Sequence, residues 1–385
     1  MTVRCESRAA LVGSVRRVVI KVGSRLLCDI GAGEETRIAE LVNELAALRD
    51  RGLEIFLVTS GAIGAGMGVM KQTKRPTDLS RLQALAAVGQ SRMMKHYENA
   101  CNSHDFHCAQ VLLCAADVKS RRRNLNLCNC LNMLQTHGLL PIVNENDAVS
   151  VDEIRFGDND TLAAKVAAMV RADLTILLTT VNGLRDRVGD ALGERLSLVG
   201  NIDERIWSLA GSTDGNEFSV GGMNTKLEAA EICMAAGEYL WIADGHDFSV
   251  LRSILAGDDI GTLFVPSQTK MAGSKRYLAF FSQPVGDLVI DQGAESAILE
   301  RGSSLLPSGI LNTTGEFDKG DAVQILNQKG DVIAIGVSNY NHVDLSRLCG
   351  LRSDQFAAAL TDFPHHDEAI HRDSLVLVDH MERRS

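Results

Sequence analysis

Val18-Val19-Ile20-Lys21-Val22-Gly23-Ser24 and Ile55-Phe56-Leu57-Val58-Thr59-Ser60-Gly61, joined by a stretch bearing Ile38, Leu41, Val42, Leu45 and Leu48, decide the fold. The spacing 38, 41, 42, 45 is the i, i+3, i+4, i+7 stripe of a helix with one buried face. The two flanking runs do not alternate, as strands buried on both faces do not. The unit is β-α-β. It predicts an α/β protein: a three-layer αβα sandwich on a mainly parallel sheet.

The same rhythm continues along the chain. Helical patterns lie at about 82–97 and 124–136, and strand patterns at Gln110–Leu113, Leu140–Val143, Leu174–Leu178 and Tyr239–Ala243. Further helices start near Thr161 and Thr225, with Asp160 and Asn224 suited to cap them. The texture changes after Pro266. Short strands with a tight turn, Ala322–Leu326 and Val332–Val337 around Asn327-Gln328-Lys329-Gly330, read as a hairpin in a small β-rich module. The expected organisation is a first domain over 1–275, a β-rich domain over 276–374 and a tail over 375–385. Ala9–Val12 is too short for a secretory segment and is expected to be a frayed extension.

At 385 residues the chain is long enough for two domains, and 45% hydrophobic with 23% charged residues can bury real cores. A formal charge of -10 opposes nucleic acid and anionic lipid as partners of the whole surface. Nine scattered cysteines are an odd number in a chain that needs no staples, so reduced thiols in a cytoplasmic protein are expected. No apolar run reaches the roughly 18 residues of a membrane span.

In a parallel sheet ligands bind beyond the carboxyl ends of the strands. The first strand ends Lys21-Val22-Gly23-Ser24, the second Thr59-Ser60-Gly61-Ala62, the fourth Asn144-Glu145-Asn146-Asp147. Lys21 interrupts an apolar strand, where an ammonium is costly to desolvate unless an anion meets it. A lysine snorkelling to solvent is the alternative, and Gly23 beside it favours the anion, because glycine lets backbone N–H groups approach a phosphate closely. Gly221-Gly222-Met223-Asn224-Thr225-Lys226 opens a helix with a cation in its first turn. That opposes the helix dipole unless an anion sits at the helix start, though a solvated lysine is the competing reading. Six carboxylates between Glu145 and Asp160 match no EF-hand loop; with lysines nearby they suit a substrate carrying an ammonium, or else form a solvated acidic loop.

Several lookalikes fail. Gly61–Gly68 is glycine-rich, yet no G-x-G-x-x-G fits it, and a turn into a helix is the other reading. No Walker spacing occurs. Cys101, His104, His107 and Cys108 lack zinc-ligand spacing, so no protein metal site is expected. His371-Arg372-Asp373 lacks the partners of a protein-kinase catalytic loop.

Ser60-Gly61-Ala62-Ile63, Asn144-Glu145-Asn146-Asp147-Ala148-Val149, Gly157-Asp158-Asn159-Asp160 and Gly221-Gly222-Met223-x-Thr225-Lys226 resemble the glutamate 5-kinase family of the amino acid kinase superfamily. The stretch Glu300–Pro307 is similar to the PUA domain that many of them carry, and the likeness runs from about Val18 to Asp373. It implies the amino acid kinase fold followed by a PUA-like domain. The implied reaction is ATP-dependent phosphorylation of the γ-carboxylate of L-glutamate to glutamyl 5-phosphate, the first step of proline synthesis.

By resemblance, Lys21 and Lys226 flank the transferred phosphoryl and Asp160 orients them. Gly23 and Gly61 supply N–H donors, and Ser60, Asp147 and Asn159 hold glutamate, with Asp147 meeting its ammonium. Thr179, Gly221, Gly222, Met223 and Thr225 line the ATP side with the two lysines, and Mg²⁺ is held mainly by ATP oxygens and water. Thr180, Val220 and Asn224 depart from the family's usual residues, all on the nucleotide side. Feedback binding of proline, handover of product to glutamyl phosphate reductase and a homo-oligomer are further expectations.

The rivals are an acetylglutamate kinase or aspartokinase, and an RNA-binding PUA protein. An acetylated substrate has no ammonium for Asp147. Residues 277–374 hold six Lys plus Arg against fourteen Asp plus Glu, so 6 - 14 gives -8, the wrong sign for phosphate contacts.

Overall fold

A computed structural model of the chain describes residues 8–27, 33–149, 159–188, 191–210, 222–266, 278, 284–360 and 366–377. The chain divides near residue 270 into two compact units. It opens α1 (Arg8–Gly13), β1 (Arg17–Val22), α2 (Ser24–Leu27), α3 (Glu34–Asp50), β2 (Glu54–Val58), α4 (Ala62–Val69), α5 (Leu79–Asn102) and β3 (Cys108–Leu113). Then follow α6 (Ala115–Lys119), α7 (Arg121–Thr136), β4 (Leu140–Glu145), α8 (Asn159–Val170), β5 (Leu174–Thr179), β6 (Arg185–Val188) and β7 (Ala191–Arg195). Next come β8 (Leu198–Val199), α9 (Glu204–Ala210), α10 (Met223–Ala235), β9 (Tyr239–Asp244), α11 (Val250–Ile254) and β10 (Thr262–Phe264).

The main sheet has eight strands in the order β3-β4-β2-β1-β5-β9-β10-β8. The first six are parallel; β10 runs antiparallel to β9 and carries β8 with it. The mainly parallel sheet read from the sequence is therefore present, with β1 near its centre between β2 and β5. Val18, Val19, Ile20 and Val22 are fully buried, which is why that run lacks alternation. On α3 the stripe Ile38, Leu41, Val42, Leu45 and Leu48 is fully buried against the sheet's core, each side chain contributing about 1.5–3 kcal/mol of apolar burial.

Two local expectations are corrected, and the reading of Gly61–Gly68 as a turn into a helix is met. The segment expected to fray is a short helix: Leu11 and Val12 are buried, and the Arg8 guanidinium stacks 4.9 Å over Trp241 and pairs with Asp259 at 3.0 Å. Asp160 lies inside the first turn of α8, and α10 is capped by Gly222 rather than Asn224. Most of Gly61–Gly68 is helix α4, and glycine there serves helix packing. A Cβ on Gly66 would lie 2.0 Å from Leu85 O and one on Gly89 1.7 Å from Ala62 O, so α4 and α5 touch backbone to backbone.

The second unit is a five-stranded sheet of β11 (Gly286–Ile290), β12 (Ile310–Gly315), β13 (Ala322–Leu326), β14 (Val332–Val337) and β15 (Leu375–Leu377), ordered β12-β11-β13-β14-β15. The expected hairpin is β13–β14. Asn327 Oδ1 shapes its turn, accepting from Lys329 N at 3.0 Å and Asp331 N at 2.9 Å, with Gly330 at φ +89°. Leu288, Ile290, Ile298, Val323, Ile325 and Leu345 form its core. The strand β15 pairs with β14 beyond residue 374, where a tail was expected. Among the described residues, no helix is long and apolar enough to cross a membrane.

Candidate active site

Lys21 is the penultimate residue of β1 and Lys226 stands in the first turn of α10, 205 positions away by number (226 - 21). The fold brings them to one carboxylate. The Lys21 ammonium pairs with Asp160 Oδ1, and Lys226 Nζ donates to Asp160 Oδ2 at 3.0 Å. All three are buried, at 6%, 5% and 0% exposure for Lys21, Lys226 and Asp160. Side chains on a helix lean toward its N-terminus, which is how Lys226 reaches back past Gly222 O, 3.4 Å away. Burial alone would raise the Asp160 carboxyl. The charges and hydrogen bonds of Lys21 and Lys226 outweigh that and hold it below the usual carboxylate range.

Around this triad the backbone comes close to open space. A Cβ on Gly23 would meet nothing nearer than Leu178 O at 3.7 Å, and one on Gly222 nothing nearer than Asn224 N at 4.0 Å. Gly61 is different: its φ of +113° at the start of α4 is a conformation that side-chain-bearing residues rarely adopt. Thr225 Oγ1 donates to Gly222 O at 3.0 Å and lies 3.4 Å from Asp160 Oδ2, while the half-buried Met223 begins α10. Thr179 ends β5 beside β1, and its carbonyl accepts from Gly245 N at 2.8 Å. Gly221 lies outside the described residues.

Ser60 and Asn159 meet directly. Asn159 Nδ2 donates to Ser60 Oγ at 2.7 Å, to Thr59 O at 2.9 Å and to Asn144 Oδ1 at 3.1 Å. Asp147 follows β4 in a half-buried turn closed by Val149 N donating to Asn146 O at 3.1 Å. The strand order β4-β2-β1 places it at the same sheet edge, two strands from Lys21. Among the described residues, no group of three or more His, Cys, Asp or Glu side chains is arranged to hold a metal.

Two contributors have no sequence signal. Gln90, on α5, accepts from Asn144 Nδ2 at 2.9 Å. Arg37, on α3, donates to Leu26 O at 2.9 Å, to His246 O at 2.9 Å and to Gly245 O at 3.4 Å, with Phe248 4.2 Å below its guanidinium. It ties α2, which follows β1, to the loop after β9. Gln90 reads as an ordinary helix residue and Arg37 as a solvated charge, so only tertiary contacts reveal them.

Residues 16–244 match the amino acid kinase family and residues 286–360 the PUA domain. That is the class to which this sheet and its edge belong. A glutamate 5-kinase of Desulfotalea psychrophila is 41% identical over 374 residues, 96% of this chain and 99% of that protein. A glutamate 5-kinase of Carboxydothermus hydrogenoformans is 43% identical over 373 residues, again 96% and 99%. Among solved structures, the Giardia carbamate kinase aligns with 66% of this chain and 100% of that one at 17% identity, with a TM-score of 0.44. The chain belongs to the glutamate 5-kinase family of the amino acid kinases, and it is an enzyme.

Proposed function

We propose that this kinase transfers the γ-phosphoryl group of ATP to the γ-carboxylate of L-glutamate, giving L-glutamyl 5-phosphate for proline synthesis. The observation that carries the reading is the meeting of Lys21 and Lys226 on Asp160. A carboxylate nucleophile is ionised at neutral pH and needs no general base; the obstacle is bringing it against a polyanionic triphosphate. Two ammonium groups held by one carboxylate flank the migrating phosphoryl from both sides and offset the charge that builds there. Asp160 fixes where they stand.

Gly23 and Gly61 offer backbone N–H groups to the phosphates, and Thr179, Gly221, Gly222, Met223 and Thr225 line the nucleotide side. Ser60, Asp147 and Asn159 hold glutamate, Asp147 receiving its α-ammonium. The Asp160 oxygens face lysine amines, so this carboxylate is not placed to ligate a cation; Mg²⁺ comes in on the triphosphate's own oxygens and water. The PUA-like unit, with its negative charge, acts as a structural or regulatory module rather than an RNA reader. Proline as a feedback ligand and a reductase receiving the labile acyl phosphate follow from the family reading.

The test is an ATP-dependent glutamate hydroxamate assay with aspartate and N-acetylglutamate as competing substrates. Hydroxamate formed from glutamate, and poorly from the other two, is the expected result. Preference for N-acetylglutamate or aspartate would overturn it.

A further inference from the structure

Three amides stand in series on the glutamate side of the site; the backbone fixes which way two of them face, and one of those fixes the third. Glu145 N–H donates to Asn144 Oδ1 at 2.9 Å, so that oxygen cannot trade places with its nitrogen. Asn144 Nδ2 therefore faces α5, where it donates to Gln90 Oε1 at 2.9 Å. At the far end Thr59 O, an acceptor without a hydrogen, takes Asn159 Nδ2 at 2.9 Å. Ser60 Oγ and Asn144 Oδ1 compete for the same nitrogen. Two amide hydrogens meet three acceptors. Asn159 Oδ1, buried and without a hydrogen-bond partner among the described residues, is the atom left to receive a donor.

Gln90 is immobilised from behind. It is buried, and its neighbour Gly89 lies so close to Ala62 O that α5 has no room to slide along α4. Gln90 Nε2 likewise has no hydrogen-bond partner among the described residues, so the contact this side chain makes with the site is the one through its oxygen.

We propose that Gln90 is a positioning residue for the acceptor substrate: it holds Asn144, and through Asn144 the Asn159 amide, with Asn159 Oδ1 turned to meet an N–H donor such as an α-ammonium. This rests on glutamate being the acceptor. Its consequence is a split between substrates: Gln90 acts through Asn144 on residues assigned to glutamate, whereas the contacts to ATP are assigned to β1, β5, α10 and Gly61.

The experiment compares wild type, Gln90→Met and Gln90→Glu for kcat and for the KM of each substrate, with thermal midpoints as a folding control. Gln90→Met keeps the volume and removes the acceptor; the KM for glutamate rises roughly 10-fold and that for ATP stays within about twofold, the size of leaving one buried amide unpaired. Gln90→Glu keeps an oxygen facing Asn144 Nδ2 and brings the glutamate KM back to within about threefold of wild type. If Gln90→Met does not accumulate as folded protein, Gln90→Asn, which shortens the side chain out of reach, gives the same split. An unchanged glutamate KM, a parallel rise in both KM values, or Gln90→Glu as impaired as Gln90→Met each overturns the inference. Wild-type protein that does not phosphorylate glutamate would instead sink the functional reading itself, and this inference with it.

Discussion

Replacing Asp160 by Asn keeps the shape of the side chain and removes the one charge that Lys21 and Lys226 share. Asp160 is fully buried and both lysines nearly so, which leaves solvent little part in screening the two ammonium groups that would then face each other. Removing one member of a buried ion pair costs about 3–5 kcal/mol. In a domain of this size each kcal/mol shifts the melting temperature by about 2–4 °C, so Asp160→Asn is expected to melt roughly 6–20 °C below wild type at pH 7. Turnover is expected to fall by on the order of 10²-fold, the effect of displacing catalytic groups by about 1 Å.

The pH dependence has a fixed sign. The Asp160 carboxyl is depressed in the folded protein, so its contribution is complete above the unfolded value of ~3.9 and is lost as pH falls toward the lower folded value. The stability gap between wild type and Asp160→Asn should hold from pH 7 to about 5 and narrow only in stronger acid. Calorimetry across that range and steady-state kinetics at pH 7 check both parts. A variant that melts with wild type and turns over normally would show that the lysines do not depend on this carboxylate.

Lys21→Ala and Lys226→Ala should each lower kcat by about 10²–10³-fold, the range for one preorganised charge stabiliser; near-normal turnover in either removes that residue from the mechanism. Asp147→Ala should raise the KM for glutamate by at least about 10-fold, as expected for a charge-assisted hydrogen bond, with little change for ATP; an equal glutamate KM would refute its role. Gly89→Ala drives a methyl into Ala62 O and should destabilise by about 1–3 kcal/mol or more, read as a lower denaturant midpoint, and an unchanged midpoint would contradict the close helix contact.

What could be read in advance follows physical range. The β-α-β core and the β13–β14 hairpin were legible because their signals, buried runs and a turn residue, are local. Lys21 and Lys226 stood out because an ammonium in an apolar strand or in the first turn of a helix conflicts with local energetics, whereas the role of Asp160 came from the family resemblance alone. Asp160 seemed a helix cap because an aspartate before an apolar run usually is one; here its oxygens serve two distant lysines. The glycine-rich run 61–68 carried no decisive signal of its own, because glycine spacing alone does not separate a ligand's approach from a neighbouring helix's. The three-residue strand β15 is too short to carry a pattern, and the reversal of β10 depends on pairing that no local window contains. Gln90 was illegible for the same reason: its partner lies 54 positions away.

Arg37 joins parts of the chain that the sequence keeps about two hundred positions apart. Its guanidinium grips three carbonyl oxygens, one on α2 and two just after β9, so the segments that follow the two strands flanking β5 are clasped by a single side chain. The acceptors are main-chain oxygens, which every residue carries. The clasp is therefore indifferent to which side chains occupy those segments, and a change at Arg37 itself is what releases it.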